Sequence, residues 1–152
     1  AAYIGAELRQ LVADRADRLC EYCLLHEEDT FFNCEVDHII SKKHGGASVA
    51  DNLAYSCLFC NRSKGSDISS VVPGASCIVR FFNPRIDRWS DHFRLESDGI
   101  TIAAVTEVGE ATSRILRFNQ GDRLLEREAL RTSGRYPTEA ALRRMTPSSL
   151  ES

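Results

Sequence analysis

The pattern of apolar and polar positions in the first part of the chain predicts a helix followed by a strand, a loop and a second strand. Residues 6–19 carry Leu and Val at near-helical spacing with arginines between them, which is typical of an amphipathic helix. Residues 34–40 and 53–57 are short, largely apolar runs that predict strands. The polar loop between them, residues 41–51, contains two consecutive glycines that allow tight turning, so we expect the strands to pair antiparallel.

Short elements follow in the rest of the chain. One or two helical turns are expected from Cys60 to about Gly65, where the glycine ends the helix. Runs rich in Ile, Val, Phe and Thr predict a small group of strands at residues 77–82, 92–96 and 100–105. Two helices are expected after them, at residues 109–118 and 120–133.

The second of these helices has a dense charged face, so we expect its leucines to face the core, at Leu124, Leu125 and Leu130. Pro137 and Pro147 predict a loosely ordered tail. The whole pattern predicts an α+β protein with an N-terminal helix, a small strand group and C-terminal helices.

Length and composition are those of one ordinary globular domain, with 152 residues, 43% of them hydrophobic and 27% charged. We expect a single domain over residues 1–152, with a core at 15–67, an elaboration at 68–145 and a tail at 146–152. No run approaches the roughly 18 apolar residues that span a bilayer, and no basic-then-apolar signal layout opens the chain. We therefore expect no membrane association and a cytoplasmic location.

Charge is distributed unevenly along the chain. The formal net charge of −3 argues against a protein that coats nucleic acid by bulk charge. Residues 21–35, however, contain acidic side chains and no Lys or Arg, whereas residues 38–64 contain four basic side chains against Asp51 alone. A local basic patch is therefore expected on an acidic protein.

The six cysteines indicate metal binding before disulfides, because cytosolic reductants keep ordinary thiols reduced. Four of them form two CxxC pairs that together predict a tetrahedral structural zinc site, namely Cys20, Cys23, Cys57 and Cys60. A redox role for the CxxC pairs is the alternative. The remaining two, Cys34 and Cys77, are expected to be buried as small apolar side chains.

Between and beside the two CxxC pairs lie residue types suited to phosphodiester cleavage. That reaction needs a base to activate water and a divalent cation held by oxygen ligands. His38 is the candidate base, and Asp37 and Asn61 are candidate oxygen ligands. Neighbouring strand residues point to opposite faces, so the strand is expected to end or bulge at Asp37 and His38 if both are to serve one phosphate.

The motifs CEYC, VDHII, KHGG, DNLA and CLFCNRSKG resemble those of the HNH endonuclease family, closely so over residues 15–67. The segments SDISS, FNPRIDRWSDHF and GEATSRILRFN look like the flanks of stand-alone bacterial HNH nucleases. The resemblance implies a ββα-metal core and cleavage of DNA, double-stranded DNA above all, to a 5′-phosphate and a 3′-hydroxyl. Asn stands at the last motif position where other members have His, a variant that favours magnesium-like oxygen chemistry.

By this resemblance Asp37 and Asn61 would ligate a catalytic magnesium or manganese ion, and His38 would be the general base. Asn52 would be the middle residue of the motif and would hold the loop so that His38 is aimed. The low overall charge indicates that binding is modest or that a partner or a homodimer supplies more contact surface.

Basic side chains flank the proposed site and are candidate DNA-phosphate contacts, namely Lys42, Lys43, His44, Arg62 and Lys64. They would otherwise be ordinary solvated charges, and His44 has no assigned role beyond this. Two other functions stay open. A zinc module could bind nucleic acid or a partner protein without cleaving it, and a redox adaptor would use the CxxC pairs.

Overall fold

The computed structural model describes residues 4–75 and 77–147, and it contains both helices and strands. Helix α1 spans Ala6–Arg15 and ends before the predicted boundary at residue 19. It ends early because Asp17 and Arg18 have positive φ angles of 54° and 61°, which an α-helix does not accommodate. The Arg15 guanidinium donates to the Leu53 carbonyl at 2.7 Å, and this contact fixes α1 against the next strands.

A two-stranded antiparallel hairpin follows, as the sequence predicted. Strand β1 spans Cys34–His38 and strand β2 spans Leu53–Cys57. Cys34 pairs with Cys57 at one end of the hairpin, and His38 pairs with Leu53 at the other. Strand β1 ends two residues before the predicted boundary, because the amides of Ile39 and Ile40 both donate to Asn52, at 2.9 and 2.8 Å. The expected irregularity at Asp37 and His38 is therefore a strand end.

Helix α2 spans Leu58–Lys64, follows β2 without a loop and packs against both strands. It begins two residues earlier than predicted, because Cys57 occupies the N-cap position and its sulfur accepts from the Cys60 amide at 3.4 Å. Asn61 is consequently the fourth residue of the helix. Gly65 ends the helix as predicted, with a positive φ of 53°.

Two further hairpins lie in the second half of the chain. Strand β3 (Ser69–Val71) pairs with β4 (Ile78–Arg80), and β5 (Phe93–Leu95) pairs with β6 (Ile102–Ala104). The three predicted strands are thus present but shorter, and they do not form one group, because β4 pairs with the unpredicted β3. Short helix α3 spans Trp89–His92.

Helices α4, α5 and α6 span Glu107–Ile115, Gly121–Thr132 and Glu139–Met145. The prediction that leucines form the inner face of α5 is wrong for Leu125, which is 68% exposed. The buried positions of α5 are Arg123 and Arg127. Arginines are tolerated there because carbonyls accept their protons: Arg127 donates to the Phe118 carbonyl at 2.7 Å, and Arg123 donates to the Leu116 carbonyl at 2.9 Å.

The expectation of a loose tail from Pro137 onward is also wrong. Thr138 caps α6, its hydroxyl accepting from the Ala141 amide at 3.1 Å, and Ala141 is fully buried. The predicted tail at 146–152 reaches beyond the described residues, which end at position 147. Within the described ranges, none of the helices has both the length and the apolar character needed to cross a membrane.

The main core surrounds the first cysteine pair and joins the two halves of the chain. It contains apolar and aromatic side chains from both, among them Leu19, Tyr22, Leu24, Phe82, Trp89, Phe93 and Phe118. The Trp89 indole donates to the Tyr22 carbonyl at 2.8 Å, which ties the second half of the chain to the first. The two unpaired cysteines were expected to be buried, but Cys77 is exposed and Cys34 is only partly buried.

Candidate metal centre and catalytic site

The four cysteines of the two CxxC pairs lie together in the core. The Sγ atoms of Cys20, Cys23, Cys57 and Cys60 all lie within 4.8 Å of one another, and all four side chains are buried. The Cys23 and Cys57 sulfurs are 3.8 Å apart. Tetrahedral zinc with Zn–S bonds of about 2.3 Å requires sulfurs separated by about 3.8 Å, so the donor set fits a structural zinc ion.

The backbone brings these sulfurs together by two local devices. In the first pair, the Cys20 amide donates to the Leu25 carbonyl and the Leu24 amide returns to Cys20, both at 2.8 Å, which folds the segment into a tight turn. Leu24 has a positive φ of 64° to complete that turn. In the second pair, β2 delivers Cys57 and the first turn of α2 delivers Cys60. The hairpin and α2 are therefore joined to the first turn at the metal centre.

One charged residue at this centre was not predicted. The Arg123 guanidinium approaches the Cys60 sulfur at 3.3 Å and the Cys57 sulfur at 3.8 Å. Burial alone would lower the pKa of Arg123, but the negative charge of the nearby Cys60, Cys23 and Cys57 thiolates raises it above its usual range. Arg123 therefore stays protonated and compensates part of the negative charge of a tetrathiolate site.

The candidate oxygen ligands lie where β1 faces α2. Glu35 and Asp37 are two residues apart on β1 and project from the same face of the strand. The Asn61 Nδ2 donates to Glu35 Oε2 at 2.9 Å, and the Lys64 ammonium lies 3.0 Å from Asp37 Oδ2. These two contacts are neighbours because Asn61 and Lys64 are three residues apart on α2.

Asp37 is held in a largely buried position. Burial raises its pKa above the usual range, and the Lys64 charge opposes this shift. Although Lys64 is close, Asp37 Oδ2 is a buried atom that accepts no hydrogen bond of good geometry within the described residues. A buried carboxylate oxygen with a free lone pair is a suitable ligand for a hard cation.

His38 stands at the end of β1 and interacts with the loop that follows. Its Nε2 lies 2.8 Å from the Ser48 hydroxyl oxygen. The described residues supply no hydrogen-bond partner for its Nδ1, so the second ring nitrogen is available to another molecule. Ser48 was not singled out in the sequence, because a serine in a polar loop carries no distinguishing signal.

Asn52 fixes the loop between the strands. Its Nδ2 donates to the carbonyls of Ile40 and Ala47, each at 2.9 Å, and its Oδ1 accepts from the Ile40 amide at 2.8 Å. Gly46 is required beside it, because a Cβ atom there would lie 1.7 Å from the Ile40 carbonyl oxygen. Asn52 thus ties both ends of the segment between His38 and Ser48.

The basic residues predicted to contact phosphates occupy different environments. Lys42, Lys43 and His44 form an exposed turn in the loop, and Arg62 is exposed on α2. Lys64 is different: it is 2% exposed and donates to the His38 carbonyl at 2.9 Å in addition to its ion pair. The expectation that Lys64 reaches DNA does not fit this burial, and the side chain instead holds the end of β1 against α2.

Contacts within the described residues pair each predicted reaction residue with a different neighbour: Asp37 with Lys64, His38 with Ser48, and Asn61 with Glu35. No side-chain hydrogen bond in that part of the chain joins Asp37, His38 and Asn61 to one another. They share a location, the meeting of β1, its following loop and α2. Of their three partners, Lys64 alone was predicted to belong to the site, and it was predicted to contact DNA.

Comparison with known proteins agrees with this geometry. Residues 20–67 match the model of the HNH endonuclease family, a segment that begins at the first metal-site cysteine and ends just after α2. Searches of the curated proteins and of the solved structures found no match. Residues 20–67 are therefore similar to the HNH endonuclease domain, whose family members are in general nucleases that hydrolyse phosphodiester bonds in nucleic acids.

Proposed function

We propose that this protein is a metal-dependent DNA endonuclease whose reaction centre is a ββα-metal core built from β1, β2 and α2. The observation that carries the proposal is the location of Asp37, His38 and Asn61 at the one place where β1, its loop and α2 meet. The neighbouring tetrathiolate site supports it, because a zinc ion there would clamp the ends of this short motif.

Asp37 and Asn61 would hold a magnesium or manganese ion. The free lone pair of buried Asp37 Oδ2 suits such an ion. The amide nitrogen of Asn61 is engaged by Glu35, which leaves its carbonyl oxygen as the free end of the side chain. When bound, the ion would stabilise negative charge on the phosphoryl and leaving oxygens.

His38 would act as the general base through Nδ1. For this role the neutral ring must carry its proton on Nε2, and that N–H then donates to the Ser48 hydroxyl oxygen at 2.8 Å. The Nδ1 lone pair takes a proton from the attacking water, whose oxygen forms the new bond to phosphorus as the bond to the 3′ oxygen breaks and that oxygen takes a proton from a solvent water. The products are a 5′-phosphate and a 3′-hydroxyl.

The test is cleavage of supercoiled plasmid by zinc-loaded protein with added magnesium or manganese. We expect wild type to cut the plasmid, and His38→Ala to lose about 100- to 10,000-fold in rate at unchanged melting temperature. His26→Asn is the matched control, because it removes a histidine that lies outside the site and keeps a cap for the following turn. Full activity in His38→Ala, or no cutting by wild type with either metal, contradicts the proposal.

The chemical groups at the ends of the cleaved DNA show which bond of the phosphodiester is broken. Products with a 5′-phosphate and a 3′-hydroxyl are expected to be resealed by a DNA ligase without prior treatment. Products that need a phosphatase or kinase first would mean that a different bond of the phosphodiester breaks. Parallel reactions with duplex DNA and with RNA of the same sequence test the substrate.

One observation favours a second candidate, a zinc module that binds nucleic acid without cleaving it. The side chains of Asp37, His38 and Asn61 each contact a different protein neighbour, an arrangement that also suits residues with a structural role. DNA binding without cleavage in any divalent metal would select this candidate over the nuclease.

A further inference from the structure

A composite groove runs along α2 beside the proposed reaction centre. Its first part, of about 470 Å³, is bordered by the loop before β1, by α2 and by α5. Its second part, of about 510 Å³, lies between the end of α2 and the end of α4. Arg62 and Ser63 line both parts, so the two adjoin at α2.

The first part is aromatic and unusually exposed. Phe31 and Phe32 are 88% and 65% exposed, and their rings contact each other edge to face with centroids 4.6 Å apart. Phe59 on α2 adds a third partly exposed ring to the same groove. Adjacent exposed rings are costly to keep in water, so they indicate a surface that something covers.

The Phe59 ring contacts the buried Arg123 side chain. The Arg123 guanidinium lies over that ring at 4.7 Å from the centroid, while also contacting the thiolates. One carboxylate, Glu126, also borders this part of the groove. The remaining charged lining consists of Arg62 and Arg123, so the three rings are the feature that distinguishes this part, and they suit a flat ring system.

The second part is basic. Arg62, Arg114 and Arg117 line it with exposed side chains, and Asp67 is the carboxylate that borders it. Within residues 4–75 and 77–147, none of these three arginines forms an ion pair with a carboxylate. Their charges are thus available to an outside anion.

We propose that this groove binds a segment of DNA strand whose bases are unpaired, with bases stacked on Phe31, Phe32 and Phe59 and phosphates on the three arginines. Aromatic platforms beside a basic track suit unpaired strands, because every base offers a face for stacking and every linkage offers a phosphate. In a fully paired duplex the base faces are stacked on one another, so they are not available for stacking on the phenylalanine rings. The inference rests on the proposed nuclease function and adds to it a preference for substrates with a single-stranded portion.

The location of the groove links it to cleavage. Arg62 follows Asn61 directly on α2 and projects about 100° around the helix from it, so the groove lies on the helix face next to the one that carries a proposed metal ligand. A strand bound in the groove would pass from the aromatic part, over α2, to the basic part. Frayed, flapped or gapped DNA would satisfy both the groove and the reaction centre.

Binding is tested separately from cleavage with the His38→Ala protein in buffer without added divalent metal. Fluorescence anisotropy with an oligothymidylate of about 12 nucleotides is compared with a duplex of about the same length. We expect tighter binding of the oligothymidylate. Adding Phe31→Ala and Phe32→Ala should weaken its binding by at least about fivefold, since each lost stacking contact has a substantial effect. Ile86→Ala, which trims an equally exposed apolar side chain elsewhere, is the control.

The basic part is tested by salt dependence. Arg114→Gln and Arg117→Gln are added together to the His38→Ala protein, and oligothymidylate binding is measured at several salt concentrations. The slope of log affinity against log salt should become shallower by about 1.4, because each single-strand phosphate contact contributes about 0.7. Arg94→Gln, at another exposed arginine on β5, should leave the slope unchanged.

The outcomes separate this inference from the nuclease proposal. If wild type cuts plasmid but the phenylalanine variant binds oligothymidylate undiminished, the groove inference is wrong and the nuclease stands. The groove inference is equally wrong if the duplex binds as tightly as the single strand. If the phenylalanines and arginines prove necessary for strand binding but no metal supports cleavage, the groove stands as a binding site and the nuclease proposal fails.

Discussion

The tetrathiolate centre and the proposed reaction face, which carries Asp37, His38 and Asn61, lie side by side in the first half of the chain. They are built in opposite ways. The four cysteines are buried, converge on one point and are enclosed by side chains from both halves of the molecule. Asp37, His38 and Asn61 lie at the edge of the same hairpin, and each contacts a separate neighbour. Stability is thus concentrated at the first site, whereas at the second His38 can be altered with little effect on the fold.

The largest effect is expected at the cysteines. Cys57→Ser should remove a zinc ligand while keeping a side chain that can cap α2, so the expected loss of several kcal/mol in the free energy of unfolding reports the zinc site, where metal binding is folding free energy. Zinc content per chain and thermal unfolding measure it. Cys77→Ser, at an exposed thiol outside the cluster, is the control and should change neither quantity. A zinc-free Cys57→Ser protein with an unchanged melting temperature would show that the centre is not structural.

Next comes Arg123, which belongs to the second half of the chain but acts on the metal centre. Arg123→Met should speed zinc loss to a chelator by about 10- to 100-fold, since partners of metal ligands commonly affect affinity by that factor. Turnover per zinc-loaded molecule should stay near that of wild type. Arg131→Met removes an exposed arginine from the same helix and is the matched control. Equal rates of zinc release in both variants would contradict the role of Arg123.

On the reaction face, Asn52 should have the strongest effect of the residues that do not touch substrate. Asn52→Ala removes three hydrogen bonds that hold the loop after His38, so we expect kcat to fall by roughly 100-fold while zinc content is retained. Gln10→Ala, at an exposed amide on α1, is the control. An unchanged kcat in Asn52→Ala would mean that the loop does not need this clamp.

The smallest effect is expected at Ser48. Ser48→Ala should lower kcat by about tenfold at unchanged melting temperature, because His38 keeps its position on β1 but loses the acceptor that selects its ring tautomer. Ser48→Thr keeps the hydroxyl and should restore most of the rate. Equal rates in the alanine and threonine variants would show that the hydroxyl has no part in aiming His38.

Features encoded by short spacings could be predicted from the sequence, whereas contacts between distant residues could not. The cysteine pairs, the hairpin and α2 are encoded by short spacings, so their positions were predicted within a few residues. Arg123 was not, because it lies 63 positions from Cys60 and nothing in the local pattern joins them. The inner face of α5 was misassigned for a related reason: apolar periodicity selects Leu125, whereas buried Arg123 and Arg127 are stabilised by carbonyls that only the folded chain supplies.

Partners within the site escaped prediction for another physical reason. The hydrogen bond between His38 and Ser48 depends on the path of an irregular loop, which no hydrophobic pattern specifies. The burial of Lys64 follows from the packing of α2 on β1, and a lysine beside a candidate site is otherwise expected to be solvated.

The contacts around the first cysteine pair limit how far residues 20–67, the segment similar to the HNH domain, could be transplanted as a module. Trp89 holds the Tyr22 carbonyl, Tyr136 donates to the Cys23 carbonyl at 3.2 Å, and Arg123 covers two sulfurs, yet all three lie outside residues 20–67. An excised fragment would leave those groups open to water and oxidants. Grafting this segment onto another scaffold therefore requires bringing along, or redesigning, the lid that the second half of the chain provides.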